Sequence, residues 1–160
     1  ESIDINSMVG ACVNMIKAKA DETSLRLETA IQPGLPALRG DQRMIKQILL
    51  NLLSNAVKFT RPGGLINVNT GVEGGRLRID VIDNGIGIAA YDLPRALSTF
   101  GQVDSAMNRS QQGTGLGLPL AISLAELHGG RLEIDSEPGK GTTVRVSFPA
   151  ERLQGMDMPA

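Results

Sequence analysis

The sequence predicts an α+β fold: a two-layer sandwich with three helices on one face of a mixed, mostly antiparallel sheet. Three observations carry that prediction. Apolar residues recur at three- and four-residue spacing in separate segments, the longest ending near Phe59, and these read as amphipathic helices. Two pairs of β-rich runs are joined by glycine turns, at Glu73-Gly74-Gly75 and at Pro138-Gly139, and read as strand pairs. Between them, from Asn84 to about Gly113, the chain has little periodicity and is too long for an ordinary connection.

The elements follow in order. Ser2–Asp4 is expected as a short edge strand. Asn6 is expected to cap a first helix running to about Ala20, with Val9, Val13 and Ile16 on its apolar stripe. Leu25, Leu27, Thr29 and Ile31 alternate on one face and predict a strand that Pro33-Gly34 and Pro36 end. Asp41 caps a long second helix to about Phe59. Its buried stripe is Ile45, Ile48, Leu49, Leu52, Leu53 and Ala56, and Pro62-Gly63-Gly64 stops it. Leu65–Val72 and Arg76–Ile82 form the first hairpin. Leu116–Leu127 reads as a third helix, ended by His128-Gly129-Gly130. Arg131–Ser136 and Thr142–Phe148 are the final strand pair. Residues 1–150 are expected to form one domain, and 151–160, which lack a clear period, a flexible tail.

Composition limits the function classes. A chain of 160 residues suits one domain with a sizeable core. Its formal net charge of −1 gives no basic field for nucleic acid or an acidic membrane. Cys12 is the only cysteine, so no internal disulfide forms, and its place in an apolar helical pattern predicts a buried, inert thiol. No apolar run reaches the roughly 18 residues of a membrane span, and no signal peptide opens the chain. Because it begins at Glu1, the sequence reads as a piece of a longer protein. Glycine is in excess, 19 residues where about 7% is usual, and many of them cluster between Gly85 and Gly117.

Two kinds of segment carry candidate chemistry. In the long helix Gln47, Asn51, Asn55 and Lys58 share one stripe, roughly opposite the apolar one. Asn is a poor helix former, costing about 0.5–0.7 kcal/mol against Ala at each interior position. By itself the stripe reads either as a solvated face or as a ligand-facing edge, where amide oxygens suit Mg²⁺ and Lys58 suits phosphate. The second kind is rich in glycine. Asp83-Asn84-Gly85-Ile86-Gly87 follows a strand; it is either a tight turn with a solvated carboxylate or a site where a flat ligand approaches and Asp83 accepts from an exocyclic amine such as adenine's. Gly113-Thr114-Gly115-Leu116-Gly117 runs into a helix start, either as a flexible hinge or as an anion cradle of free N–H groups. Two common nucleotide motifs are excluded. Leu120 stands where a Rossmann fingerprint needs its third glycine, and Gly141 stands where a Walker A loop needs Ser or Thr.

Taken together and in this order, these segments resemble the ATPase domain shared by histidine kinases and the gyrase-type and mismatch-repair-type ATPases. Gln47 to Thr60 matches the kinase N box, Asp83 to Gly87 the first glycine box, Phe100-Gly101-Gln102-Val103-Asp104 the F box, and Gly113 to Leu118 the second glycine box. The similarity spans about Asp4 to Pro149. The Phe-Gly-Gln-Val-Asp and Leu-His-Gly-Gly wording is closest to the histidine kinases.

That resemblance implies the Bergerat ATP-binding fold, with ATP and Mg²⁺ as ligands. Asn51 would ligate the metal, while Asn55 and Lys58 would contact the phosphates. Asp83 would hold the adenine amine, with Thr142 nearby through water, and Gly85 and Gly87 would shape the base pocket. Residues from about Ile88 to Gly113 would form a lid anchored by Phe100, with Arg109 on the γ-phosphate. Gly113, Gly115, Leu116 and Gly117 would wrap the phosphates. Asn51, Lys58 and Arg109 would thus be the groups acting on the transferred phosphoryl.

Three positions qualify the resemblance. Hydrolysing members carry a Glu one turn before the first Asn; here it is Gln47, which cannot take a proton at neutral pH, so efficient hydrolysis is not expected. Leu97 stands where many kinases carry a second Phe. His128, the only histidine, sits at a helix end where a cation would complement the dipole; with no acidic residue following, it reads as structural rather than as a phosphoacceptor.

The leading expectation is therefore a protein histidine kinase catalytic domain of two-component signalling. Its partners would be the phosphoacceptor helical hairpin of the same kinase and a response regulator, with no nucleic acid and no direct membrane contact. The domain would be cytoplasmic even where the parent protein is membrane-anchored, and monomeric when isolated. The alternatives are a nucleotide-binding regulatory module without kinase output, and an ATP hydrolase, against which Gln47 weighs.

Overall fold

The computed structural model describes residues 2–86 and 117–154. Its elements run β1 Ser2–Ile3, α1 Ile5–Glu22, β2 Arg26–Ala30, β3 Ala37–Arg39, α2 Gln42–Phe59, β4 Leu65–Glu73, β5 Arg76–Asp83, α3 Gly117–Leu127, β6 Arg131–Glu137, β7 Gly141–Phe148 and β8 Leu153–Gln154. A five-stranded sheet in the order β2-β4-β5-β7-β6 is antiparallel throughout except for the parallel β2–β4 pair. This is the expected α+β sandwich, with a second, small sheet of β1, β3 and β8 added.

The core forms where α2 lies on the sheet. Ile45, Ile48, Leu49, Leu52, Leu53 and Ala56 are all buried, against the inward residues Ile66, Val68, Leu77, Ile79, Val81, Val144 and Val146. Each such aliphatic side chain contributes about 1.5–3 kcal/mol when removed from water. The Asp41 carboxylate accepts from Met44 N–H at 3.0 Å and fixes the start of the helix. The β4–β5 turn is Gly74-Gly75 with φ of 60° and 78°, a left-handed pair that matches the twist of a tight hairpin.

Several local expectations are corrected. The first helix is capped by Asp4, which accepts from Ser7 N–H at 3.1 Å, so that Asn6 lies inside the helix and donates to the Gln32 carbonyl. β2 keeps the predicted inward face only at its start. Leu25 is buried, but Thr29 and Ile31 are exposed, Ile31 lying beyond the strand at 46%. Past the expected domain end at 150 the chain makes a 3-10 turn and then β8, whose Leu153 pairs with Leu38. Residues 155–160 lie outside the described residues.

His128 ties α3 to α2. Its Nε2 accepts the Asp41 backbone N–H at 3.0 Å, and its Nδ1 lies 2.8 Å from the Leu124 carbonyl. An accepting Nε2 carries no hydrogen, so Nδ1–H donates and the ring is neutral. The role is structural, as expected. It works through two hydrogen bonds rather than through a positive charge at the helix end.

Candidate nucleotide site

The site grows from the inward face of the sheet. Along β5, Leu77, Ile79, Val81 and Asp83 share that face at a period of two; the first three are core, and the fourth is a carboxylate only 8% exposed. Across the sheet the same row reads Ile66, Asp83, Thr142 and Ser136. From β5 to β6 the apolar layer thus ends in a polar row at one end of the strands. The Ser136 and Thr142 hydroxyls lie 2.7 Å apart within it.

Burial raises the Asp83 carboxyl above the usual carboxylate range. Backbone N–H groups of Gly85 and then Thr142 donate to it and pull it part of the way back. The Gly85 bond is 2.8 Å to Oδ1.

Three hydrogen bonds hold the backbone after Asp83. Ile86 N–H donates to the Phe59 carbonyl at 3.1 Å, satisfying an orphan acceptor at the end of α2. Asn84 Oδ1 accepts Leu65 N–H at 2.8 Å. Gly139 N–H donates to the Ile86 carbonyl at 2.7 Å. Gly85 leaves the room this needs, because a Cβ there would lie 2.2 Å from the Phe59 oxygen. The first glycine segment is therefore locked to the end of the helix that carries the polar stripe.

On that helix Asn51, Asn55 and Lys58 are half-buried, and Gln47 Nε2 donates to Asn51 Oδ1 at 2.7 Å. Burial lowers the Lys58 ammonium, and the like charge of Lys19 lowers it further. Such a cation gains from an anionic partner. Among the described residues no cluster of three or more His, Cys, Asp or Glu could hold a metal. What the chain offers is the Asn51 amide oxygen, a donor suited to Mg²⁺, which keeps waters and leans on substrate phosphates.

The structure thus brings Asp83, Gly85 and Thr142 together beside the end of the helix bearing Asn51, Asn55 and Lys58. Gly117 opens α3. Gly87, Phe100, Arg109, Gly113, Gly115 and Leu116 lie outside the described residues. Two positions escaped the sequence reading. Ser136 extends the polar row. Gly141, at φ 124°, lets β7 start against the Asp83 backbone. A glycine at the first residue of a β-rich run was the available signal for the second.

Residues 40–152 match the family model described as histidine kinase-, DNA gyrase B-, and HSP90-like ATPase. An uncharacterized sensor-like histidine kinase of Rhizobium meliloti is 40% identical over 151 residues, covering 94% of this chain and 29% of the relative. Full-length ShkA in complex with AMPPNP superposes with a TM-score of 0.82 at 29% identity, covering 93% of this chain and 30% of that one. The nucleotide-free catalytic domain of histidine kinase ThkA superposes at 0.81 with 22% identity, covering 94% of this chain and 95% of that one, a likeness of fold. This chain spans less than a third of the curated relatives it matches. No helix among the described residues is long and apolar enough to cross a membrane.

Proposed function

The chain belongs to the histidine kinase-, DNA gyrase B- and HSP90-like ATPase family, and we propose that it binds Mg-ATP and donates the γ-phosphoryl group to a histidine on a separate helical hairpin of the same protein. The observation that carries this reading is Asp83, a carboxylate buried at the end of an apolar series and beside the end of the α2 polar stripe. An acceptor-only group in that position suits the exocyclic amine of adenine. Thr142, its cross-strand neighbour, would assist through water. Gly85, by its close approach to the Phe59 carbonyl, and Gly87 would shape the base pocket.

The phosphates would then run along α2, with Asn55 and Lys58 donating to them. Asn51 would hold Mg²⁺ through its amide oxygen. When bound, that ion supplies neutralisation of charge on the β- and γ-phosphate oxygens. Residues from about 88 to 113 would close over the nucleotide, with Phe100 as anchor and Arg109 on the γ-phosphate. Gly113, Gly115, Leu116 and Gly117 would present backbone N–H groups at the start of α3.

In the transfer, an imidazole nitrogen of the acceptor attacks the γ-phosphorus and the bond to the bridging oxygen breaks. ADP leaves, and the phosphoryl ends on the histidine. The chain's own part is positioning and charge stabilisation, which dominate phosphoryl transfer. Gln47 cannot act as a base toward water, which favours transfer over hydrolysis. His128 is buried with both ring nitrogens engaged and is not the acceptor. The names of the relatives, histidine kinases, and the AMPPNP held by ShkA support the reading. The hairpin and a response regulator are then the partners. The domain works in the cytoplasm, monomeric by itself, without nucleic acid or direct membrane contact.

The test is a chain extended to include the hairpin, incubated with ATP labelled at the γ-position. Acid-labile label on the hairpin is the expected result. Nucleotide binding without label on any histidine would instead make the domain a regulatory module.

A further inference from the structure

We propose that His128 is a positioning residue for the phosphate side of the nucleotide site, acting through the angle between α2 and α3. The proposal rests on the nucleotide reading above and goes beyond it, because His128 lies at the far end of both helices from the groups that would touch ATP.

The ring is clamped on every side the structure describes. It is 4% exposed. Nε2 holds the Asp41 N–H at the start of α2, and Nδ1–H holds the Leu124 carbonyl in the last turn of α3. Phe148 of β7 meets the ring edge-on, with centroids 6.4 Å apart and planes at 86°. The backbone at Gly40 lies flat against it, where an added Cβ would fall 2.7 Å from Cδ2. Only the neutral Nδ1–H tautomer satisfies both hydrogen bonds.

This arrangement joins two rods at one end. Asn51 lies ten residues along α2 from Asp41, about 15 Å at the rise of a helix. Gly117, where the second glycine segment enters, opens α3 at the end opposite His128. Phosphates would sit between the α2 stripe and that opening. A tilt of about 5° at the tied end moves the far end of a helix of α3's length by roughly 1.5 Å, enough to misplace a phosphate oxygen. The base pocket is held differently, by the β5–β7 ladder and the Phe59 carbonyl. Loss of the imidazole should therefore weaken phosphate contacts and spare adenine contacts.

The experiment is an NMR titration of the chain with Mg-ATP and, separately, with adenosine. In His128→Leu, Mg-ATP affinity is expected to fall five- to tenfold while adenosine affinity stays within twofold. His128→Gln, whose amide offers both an acceptor and a donor, recovers Mg-ATP binding to within about threefold. If His128→Leu does not fold, His128→Phe, which keeps a ring but offers neither hydrogen bond, is read for the same split between ligands. Equal loss of both ligands, or loss of neither, would overturn the positioning role and leave the nucleotide site standing. An unaltered chain that binds neither ligand would contradict the nucleotide reading and this role with it. Because His128 is the only histidine, its ring nitrogens can be read directly, and an Nε2–H tautomer or an imidazolium at pH 7 would also overturn the proposal.

Discussion

A methyl group on Gly141 would lie 2.0 Å from the carbonyl oxygen of Asp83. The strand that starts at Gly141 therefore runs against the backbone of the residue on which the proposed adenine contact depends. Gly141→Ala combines that clash with a φ of 124° and is expected to cost about 2–4 kcal/mol in urea denaturation. Gly139→Ala, in the same turn at φ 81° but in open space, is expected to cost only about 1–2 kcal/mol. Equal costs would mean that the approach to Asp83 is not tight.

Asp83 itself sets a stability against pH. Burial raises its pKa in the folded chain, outweighing the Gly85 and Thr142 donors. The folded state then binds this proton more tightly than the unfolded state, so the ionised carboxylate opposes folding at neutral pH. Its stabilising contribution is full below the ordinary carboxylate pKa and is lost as pH rises through the raised value. Without nucleotide, Asp83→Asn is expected to melt at or above the native temperature at pH 7, the advantage shrinking as pH falls toward 4. A variant that melts lower at pH 7 would contradict this.

Lys58 carries the same tension with opposite sign. Burial, and then Lys19, lowers its pKa, so the ammonium form is disfavoured in the folded chain. The stability it withholds returns as pH rises through the lowered value. Lys58→Met is expected to leave the melting temperature of the free chain unchanged or raised, and to weaken Mg-ATP about tenfold by removing a charge-assisted bond. Melting curves with and without saturating Mg-ATP read both effects.

Gln47 bears on the choice between transfer and hydrolysis. Its amide donates to Asn51 Oδ1 and cannot accept a proton from water. Steady-state phosphate release from Mg-ATP is expected to stay near background. Rapid turnover by the chain alone would favour the hydrolase reading.

Much of this was legible in the residues because periodicity records burial. The α2 stripe from Ile45 to Ala56, the Asp41 cap and the Gly74-Gly75 hairpin are all local, and all were found where predicted. Of the small sheet only β1 was legible, as a short edge strand at Ser2; β3 and β8 escaped because they are three and two residues long and pair across the chain, Leu38 with Leu153. The Asp4 cap escaped because Asn6 is an equally good capping type, and register rather than composition decides between them. At the site, Asp83 was legible from its place after a strand. Ser136 was not, because its role depends on strand pairing across the sheet.

The most direct measurement is calorimetric titration of Mg-ATP into the chain and into Asp83→Asn. The account predicts saturable binding to the native chain, weakened by about 1–3 kcal/mol in the variant, the cost of a mismatched buried polar group. Native binding that the substitution leaves unchanged would remove Asp83 from the base pocket. Absence of binding at millimolar Mg-ATP would contradict the central claim.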